Sequence, residues 1–113
     1  MKGHHRLKVW KRSVDYVVEI YNLTKRFPVA EQYGLNSQMR RAALSIASNI
    51  AEGAGRNSRK EFRQFLSIAQ GSVAELETQL IIAERLGYCT NIGGFLTELD
   101  EISKMIIGLK KKV

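Results

Sequence analysis

A chain of 113 residues with 18 Lys and Arg against 11 Asp and Glu has a formal net charge of +7. That length suits one domain with one closed core, and the charge favours an acidic partner, nucleic acid before an anionic membrane, unless it serves solubility alone. Hydrophobic residues at 44% and charged residues at 26% are ordinary for a soluble globular protein, no apolar run nears the roughly 20 residues of a membrane helix, and the single Cys89 excludes an internal disulfide. The opening MKGHHRLKVW has no signal-peptide core, so the expectation is a cytoplasmic protein in which Cys89 fills space near a helix end.

The first predicted helix covers residues 7–26. Leu7, Trp10, Val14, Val17 and Tyr21 recur at spacings of three and four, and a second stripe of Val9, Tyr16, Ile20, Leu23 and Phe27 lies beside them. A helix apolar over so wide an arc touches more than one neighbour. Phe27-Pro28 ends it, because a residue before proline is pushed out of the α region.

The second helix covers residues 37–53, with Asn36 or Ser37 as N-cap and a core stripe of Met39, Ala43, Ile46 and Ile50. Leu44, Ala47 and Ala51 form a shallower stripe of mostly small side chains. Gly53 and Gly55 stop the helix, with a left-handed glycine as the expected end.

The third helix covers residues 59–86. Ser58-Arg-Lys-Glu61 is a capping box, and Phe62, Phe65, Leu66, Ala69, Val73, Leu76, Leu80 and Ala83 form a regular bundle seam. Gly87 is the expected C-cap. The fourth helix covers residues 92–112 and aligns Phe95, Leu99, Ile102, Ile106, Leu109 and Val113. No segment reads as a strand. Short links favour antiparallel neighbours, so the fold is read as all-α, an antiparallel up-down-up-down four-helix bundle forming one domain over residues 1–113.

That topology gathers charge. The start of the first helix, the turn between the second and third, and the end of the fourth share one end of the bundle. Twelve of the 18 basic residues fall there: Lys2, Arg6, Lys8, Lys11, Arg12, Arg56, Arg59, Lys60, Arg63, Lys110, Lys111 and Lys112. The free amides of Arg59, Lys60 and Glu61 open a helix among four cationic side chains, where a backbone phosphate could dock without any base being read; a solvated turn is the competing reading.

The stretches LKVWKRSVDYVVEIY, YGLNSQMRRAALSIASNIAEGAGR, KEFRQFLSIAQGSVAELETQL and AERLGY resemble the bacterial four-helix-bundle family encoded in intervening sequences of large-subunit ribosomal RNA genes. That family is related to the accessory variability protein of diversity-generating retroelements. The segments Ser45–Gly53 and Gly71–Thr78 carry the resemblance most specifically. Members often have proline where this chain has Ala47, a change that straightens the helix and leaves the fold intact. The resemblance implies a homopentameric ring without known catalysis. The retroelement relative implies binding of nucleic acid and of a reverse transcriptase through a basic surface. The matching positions are Arg56, Arg59, Lys60 and Arg63, with Lys8, Lys11, Arg12, Arg40 and Arg41 behind them.

Catalytic parts are hard to assemble from this sequence. A di-iron bundle site needs Glu-x-x-His pairs, and His4 and His5, the sole histidines, precede the first helix. There is no Cys–His pair and no Ser–His–Asp set. Gly53-Ala-Gly55 lacks the Lys-Ser/Thr of a phosphate loop. The expectation is a non-enzymatic, metal-free and cofactor-free oligomer that binds nucleic acid, structured RNA foremost; a protein-interaction scaffold with no nucleic-acid role is the alternative.

Overall fold

The computed structural model describes residues 3–113, and of residues 5 and 6 the backbone alone. Lys2 and the Arg6 side chain, counted above toward the basic end, lie outside the described residues. Four α-helices make up the described residues: α1 Lys8–Thr24, α2 Leu35–Ala54, α3 Arg59–Arg85 and α4 Gly93–Lys112. Short 3-10 turns at Gly3–Arg6 and Val29–Glu31 precede α1 and α2. There is no strand among the described residues.

Neighbours pack in a closed cycle, α1 on α2, α2 on α3, α3 on α4 and α4 back on α1, in a body of 43 × 23 × 22 Å. The contacts between α2 and α3, and those between α1 and α4, run antiparallel. Ser45 of α2 meets Ser72 of α3, whereas Gly53 lies against Phe62 and Phe65. On the other side of the bundle, Tyr16 of α1 bonds the Phe95 carbonyl of α4 at 2.8 Å, and Arg12, a turn earlier, reaches Glu98 and Glu101. The fold is the all-α four-helix bundle that the apolar spacing predicts.

The core is built from one stripe per helix. In α1 it is the second stripe, Val9, Tyr16 and Ile20, that is buried, with Phe27 beyond the helix. The stripe read first, Leu7 to Tyr21, is half-buried at Leu7, Trp10, Val17 and Tyr21 and exposed at Val14. Met39, Ala43, Ile46 and Ile50 of α2, Leu66 to Ala83 of α3, and Leu99, Ile102 and Ile106 of α4 complete the core. Thr24 and Ser13 are buried on α1, each hydroxyl donating to a carbonyl one turn back, at 2.8 Å and 2.7 Å.

Helix ends show where side-chain spacing misleads. α2 begins at Leu35, with neither Asn36 nor Ser37 as cap; Glu31, in the preceding 3-10 turn, accepts the Leu35 amide on Oε1 at 3.2 Å. At its other end α2 runs through Gly53 to Ala54, and Gly55 caps it at φ −87°, not in the left-handed region. Gly53 answers to a close approach instead: a β-carbon there would stand 2.8 Å from the Phe65 Cβ and 2.9 Å from Phe62 Cδ1. Gly87, at φ +81°, does close α3 in the left-handed manner expected of it.

Candidate nucleic-acid interface

Three chain segments converge at one end of the bundle. The guanidinium of Arg63, early in α3, donates from Nη1 to the Val113 carbonyl just past α4. Lys110 donates to Gln70 Oε1 at 2.7 Å, further along the same seam. Leu7, Lys8 and Val9 share a groove with Met105, Leu109 and Lys112. The start of α1, the α2–α3 turn and the end of α4 are therefore neighbours, and their cations form one surface.

Within that surface the cations divide into free and engaged. Lys8, Lys11, Arg59 and Lys60 are exposed, and their side chains hold no hydrogen bond or ion pair among the described residues. Lys111 and Lys112 join them at the end of α4; the site drawn from the sequence left these two out, although their place at the last turn of α4 was legible. Arg56 lies 4.9 Å over the Phe65 ring and 3.7 Å from the Glu52 carboxylate. Arg63 is exposed but shared with the Val113 carbonyl.

The remaining candidates serve elsewhere. Arg12 forms a bidentate pair with Glu98, Nε to Oε2 at 2.9 Å and Nη2 to Oε1 at 2.6 Å, and also contacts Glu101. Those carboxylates raise its pKa above the ordinary arginine value, so the charge is permanent but neutralised internally. Arg40 stacks 4.5 Å over the Tyr21 ring and donates to Thr24 Oγ1 at 2.8 Å, which fastens α2 to the end of α1. Arg41 is exposed but lies in the second turn of α2, 13 residues before its end at Ala54, roughly 20 Å along the axis from the α2–α3 turn.

The start of α3 holds fewer open donors than the spacing suggests. The Ser58 hydroxyl accepts from the Glu61 amide at 3.0 Å, leaving the amides of Arg59 and Lys60 as the open donors of the first turn. Aromatic rings near this end are withdrawn. Phe62 and Phe65 are half-buried against Gly53, and Trp10 packs edge-on with His4 at 4.9 Å. The most exposed ring, Tyr33, stands at 90% exposure near the start of α2, at the opposite end. The basic end offers cations and amides without a stacking platform, which suits phosphate groups and not base faces.

Chemistry beyond ion binding finds little to work with. No cluster of three His, Cys, Asp or Glu side chains among the described residues could hold a metal. Cys89 is half-buried against the core, and burial pushes its thiol pKa up, away from thiolate reactivity. No helix among the described residues is long and apolar enough to cross a membrane.

No curated protein matches the chain. Among solved structures it is similar to a protein of unknown function from the S23 ribosomal protein family of Bacteroides thetaiotaomicron VPI-5482, determined at 1.70 Å. The two share 33% identity and a TM-score of 0.82, over 91% of this chain and 98% of that one. The family model described as 23S rRNA-intervening sequence protein matches residues 5–108, nearly the whole bundle, and the chain belongs to that family.

Proposed function

We propose that this protein is a non-enzymatic, oligomeric bundle that binds nucleic acid, structured RNA foremost, through phosphate contacts at its basic end. The observation that carries the reading is the set of exposed, unpaired cations gathered there from three chain segments: Lys8, Lys11, Arg59, Lys60, Lys111 and Lys112. Counterion release makes such a surface bind strongly at low salt and indifferently to sequence. Membership of a family named for 23S rRNA intervening sequences supports RNA as the ligand, in a cytoplasmic setting.

Self-association belongs to the same proposal, with a homopentamer as the favoured form on the family resemblance. Val14, Val18 and Leu44 are exposed at 37%, 56% and 42% on facing flanks of α1 and α2, more apolar surface than one bundle core requires. A ring would repeat the cations around its axis and add weak contacts through avidity. We propose a reverse transcriptase as a further candidate partner, on the resemblance to retroelement accessory proteins read from the sequence.

Nuclease treatment of the freshly purified protein, with the 260/280 nm absorbance ratio measured before and after, tests the reading. Co-purifying nucleic acid that nuclease removes, followed by rebinding of a structured RNA at low salt, is the expected result. A protein free of nucleic acid that also ignores added RNA and DNA leaves the alternative, a protein-interaction scaffold.

A further inference from the structure

The seam between α1 and α4 is the most sparsely packed of the four, and a cleft of about 810 Å³ opens along it. Its walls include Asp15, Tyr16, Glu19 and Leu23 from α1, and Phe95 and Glu98 from α4. From Arg12 to Leu23 it follows α1 for three turns, roughly 16 Å. Gly94 lines it too, and a β-carbon there would meet nothing within 4 Å, so the α4 wall stays open. The floor is apolar and aromatic: Tyr16 is buried, its hydroxyl spent on the Phe95 carbonyl, and Leu23 and Phe95 are half-buried beside it.

The rim carries charge of the opposite sign to the rest of the protein. Asp15 and Glu19 are exposed and hold no ion pair among the described residues. Arg12 is spent on two carboxylates, Glu98 and Glu101, and so leaves a negative excess; Arg26 stands alone against it at one end of the cleft. An elongated groove with an apolar floor and acidic margins on a chain of charge +7 is complementary to one kind of occupant. We propose that the α1–α4 cleft docks a basic amphipathic helix of a protein partner. The helix would lay its apolar face on Leu23 and Phe95 and aim Lys or Arg side chains at Asp15 and Glu19. This site lies on the flank of the bundle, apart from the cations at its end.

A fluorescein-labelled 16-residue helix of leucine and lysine, with its glutamate-for-lysine counterpart, serves as probe for fluorescence anisotropy. The protein as a whole repels a cationic peptide, so binding of the lysine probe reports the local groove and not bulk charge. Micromolar binding of the lysine probe is expected. Asp15→Asn with Glu19→Gln should weaken it by about tenfold or more, the loss of two charge contacts. Gly94→Leu keeps every charge but projects a side chain into open space in the cleft, and should weaken binding by a similar factor. Both changes fall on exposed positions, and unchanged circular dichroism melts establish that the variants fold. Absence of binding to the unaltered protein overturns the proposal. So does a lysine probe that binds both variants as it binds the parent, or one that loses affinity only with the charges and ignores the filled groove.

Discussion

Arg12 and Glu98 join α1 to α4 by two parallel contacts, Nε to Oε2 at 2.9 Å and Nη2 to Oε1 at 2.6 Å, across a seam that has few others. The pair is partly sheltered, with side chains 36% and 30% exposed. A bidentate geometry reinforced by Glu101 lifts it above an ordinary surface ion pair. Replacing Arg12 with Gln should cost about 1 kcal/mol of stability after allowance for solvent screening. RNA affinity should change little, because this charge is already neutralised. A thermal melt with a parallel binding titration checks both halves.

The α2–α3 contact sets a second prediction. Gly53→Ala places a methyl 2.8 Å from Phe65 Cβ and 3.3 Å from the Phe62 carbonyl, both close to the main chain of α3. The helices must separate, at a cost of roughly 1–3 kcal/mol. Ala43 and Ala47 are 1% and 8% exposed on α2, and enlarging either to Leu should cost a similar amount, roughly 1–3 kcal/mol. Denaturant midpoints measure all three, and an unchanged midpoint for Gly53→Ala would mean that α2 and α3 are not so close.

Acid should loosen the start of α2. Tyr88 donates to Glu31 Oε2 at 2.8 Å while Oε1 accepts the Leu35 amide. The Tyr88 hydrogen bond first, and the Leu35 amide second, lower the Glu31 pKa below the ordinary carboxylate value. A carboxylate whose pKa is lower in the folded state stabilises above its unfolded value, about 4.3, and that contribution disappears as pH falls through the folded value. Glu31→Gln should therefore be less stable than the parent at pH 7, with the gap closing below about pH 4. Melts across that range decide it. The phenol, whose pKa the same bond raises, gives the opposite sign at the alkaline end: its contribution holds below about pH 10 and is lost as pH climbs through the raised value.

How far the sequence could be read depended on the kind of interaction. Leu66, Ala69, Val73, Leu76, Leu80 and Ala83 recur at three and four with no competing stripe, so the buried face of α3 was plain. On α1 two stripes compete, and periodicity cannot say which faces the core; only the neighbours decide, and they chose Val9, Tyr16 and Ile20. The cap of α2 was hidden because Glu31 acts from outside the helix, across a turn that spacing does not describe. Among the site residues, exposure at the basic end followed from topology. The engagement of Arg12 and Arg40 did not, because their partners Glu98 and Thr24 lie 86 and 16 residues away in the chain.

The exposed apolar flank predicts self-association. Val18→Asp combined with Leu44→Asp puts two charges where neighbouring subunits would meet. Light scattering at micromolar concentration should give about five times the chain mass for the parent, by the family resemblance, and a smaller species for the double variant. A parent that scatters as a monomer contradicts the oligomer, and a variant that scatters as the parent does moves the interface to another face.

The binding of nucleic acid at the basic end meets its most direct test in Arg59→Gln with Lys60→Gln. Both side chains are exposed and unpaired among the described residues, so fold and oligomer should survive their change. Fluorescence anisotropy with a labelled structured RNA, titrated from 50 to 300 mM salt, gives affinity and salt slope together. Weaker binding is expected for the variant, with the slope shallower by about one for each lost phosphate contact and an equal loss with unrelated DNA. Identical affinity and identical slope in parent and variant would contradict nucleic-acid binding at the basic end.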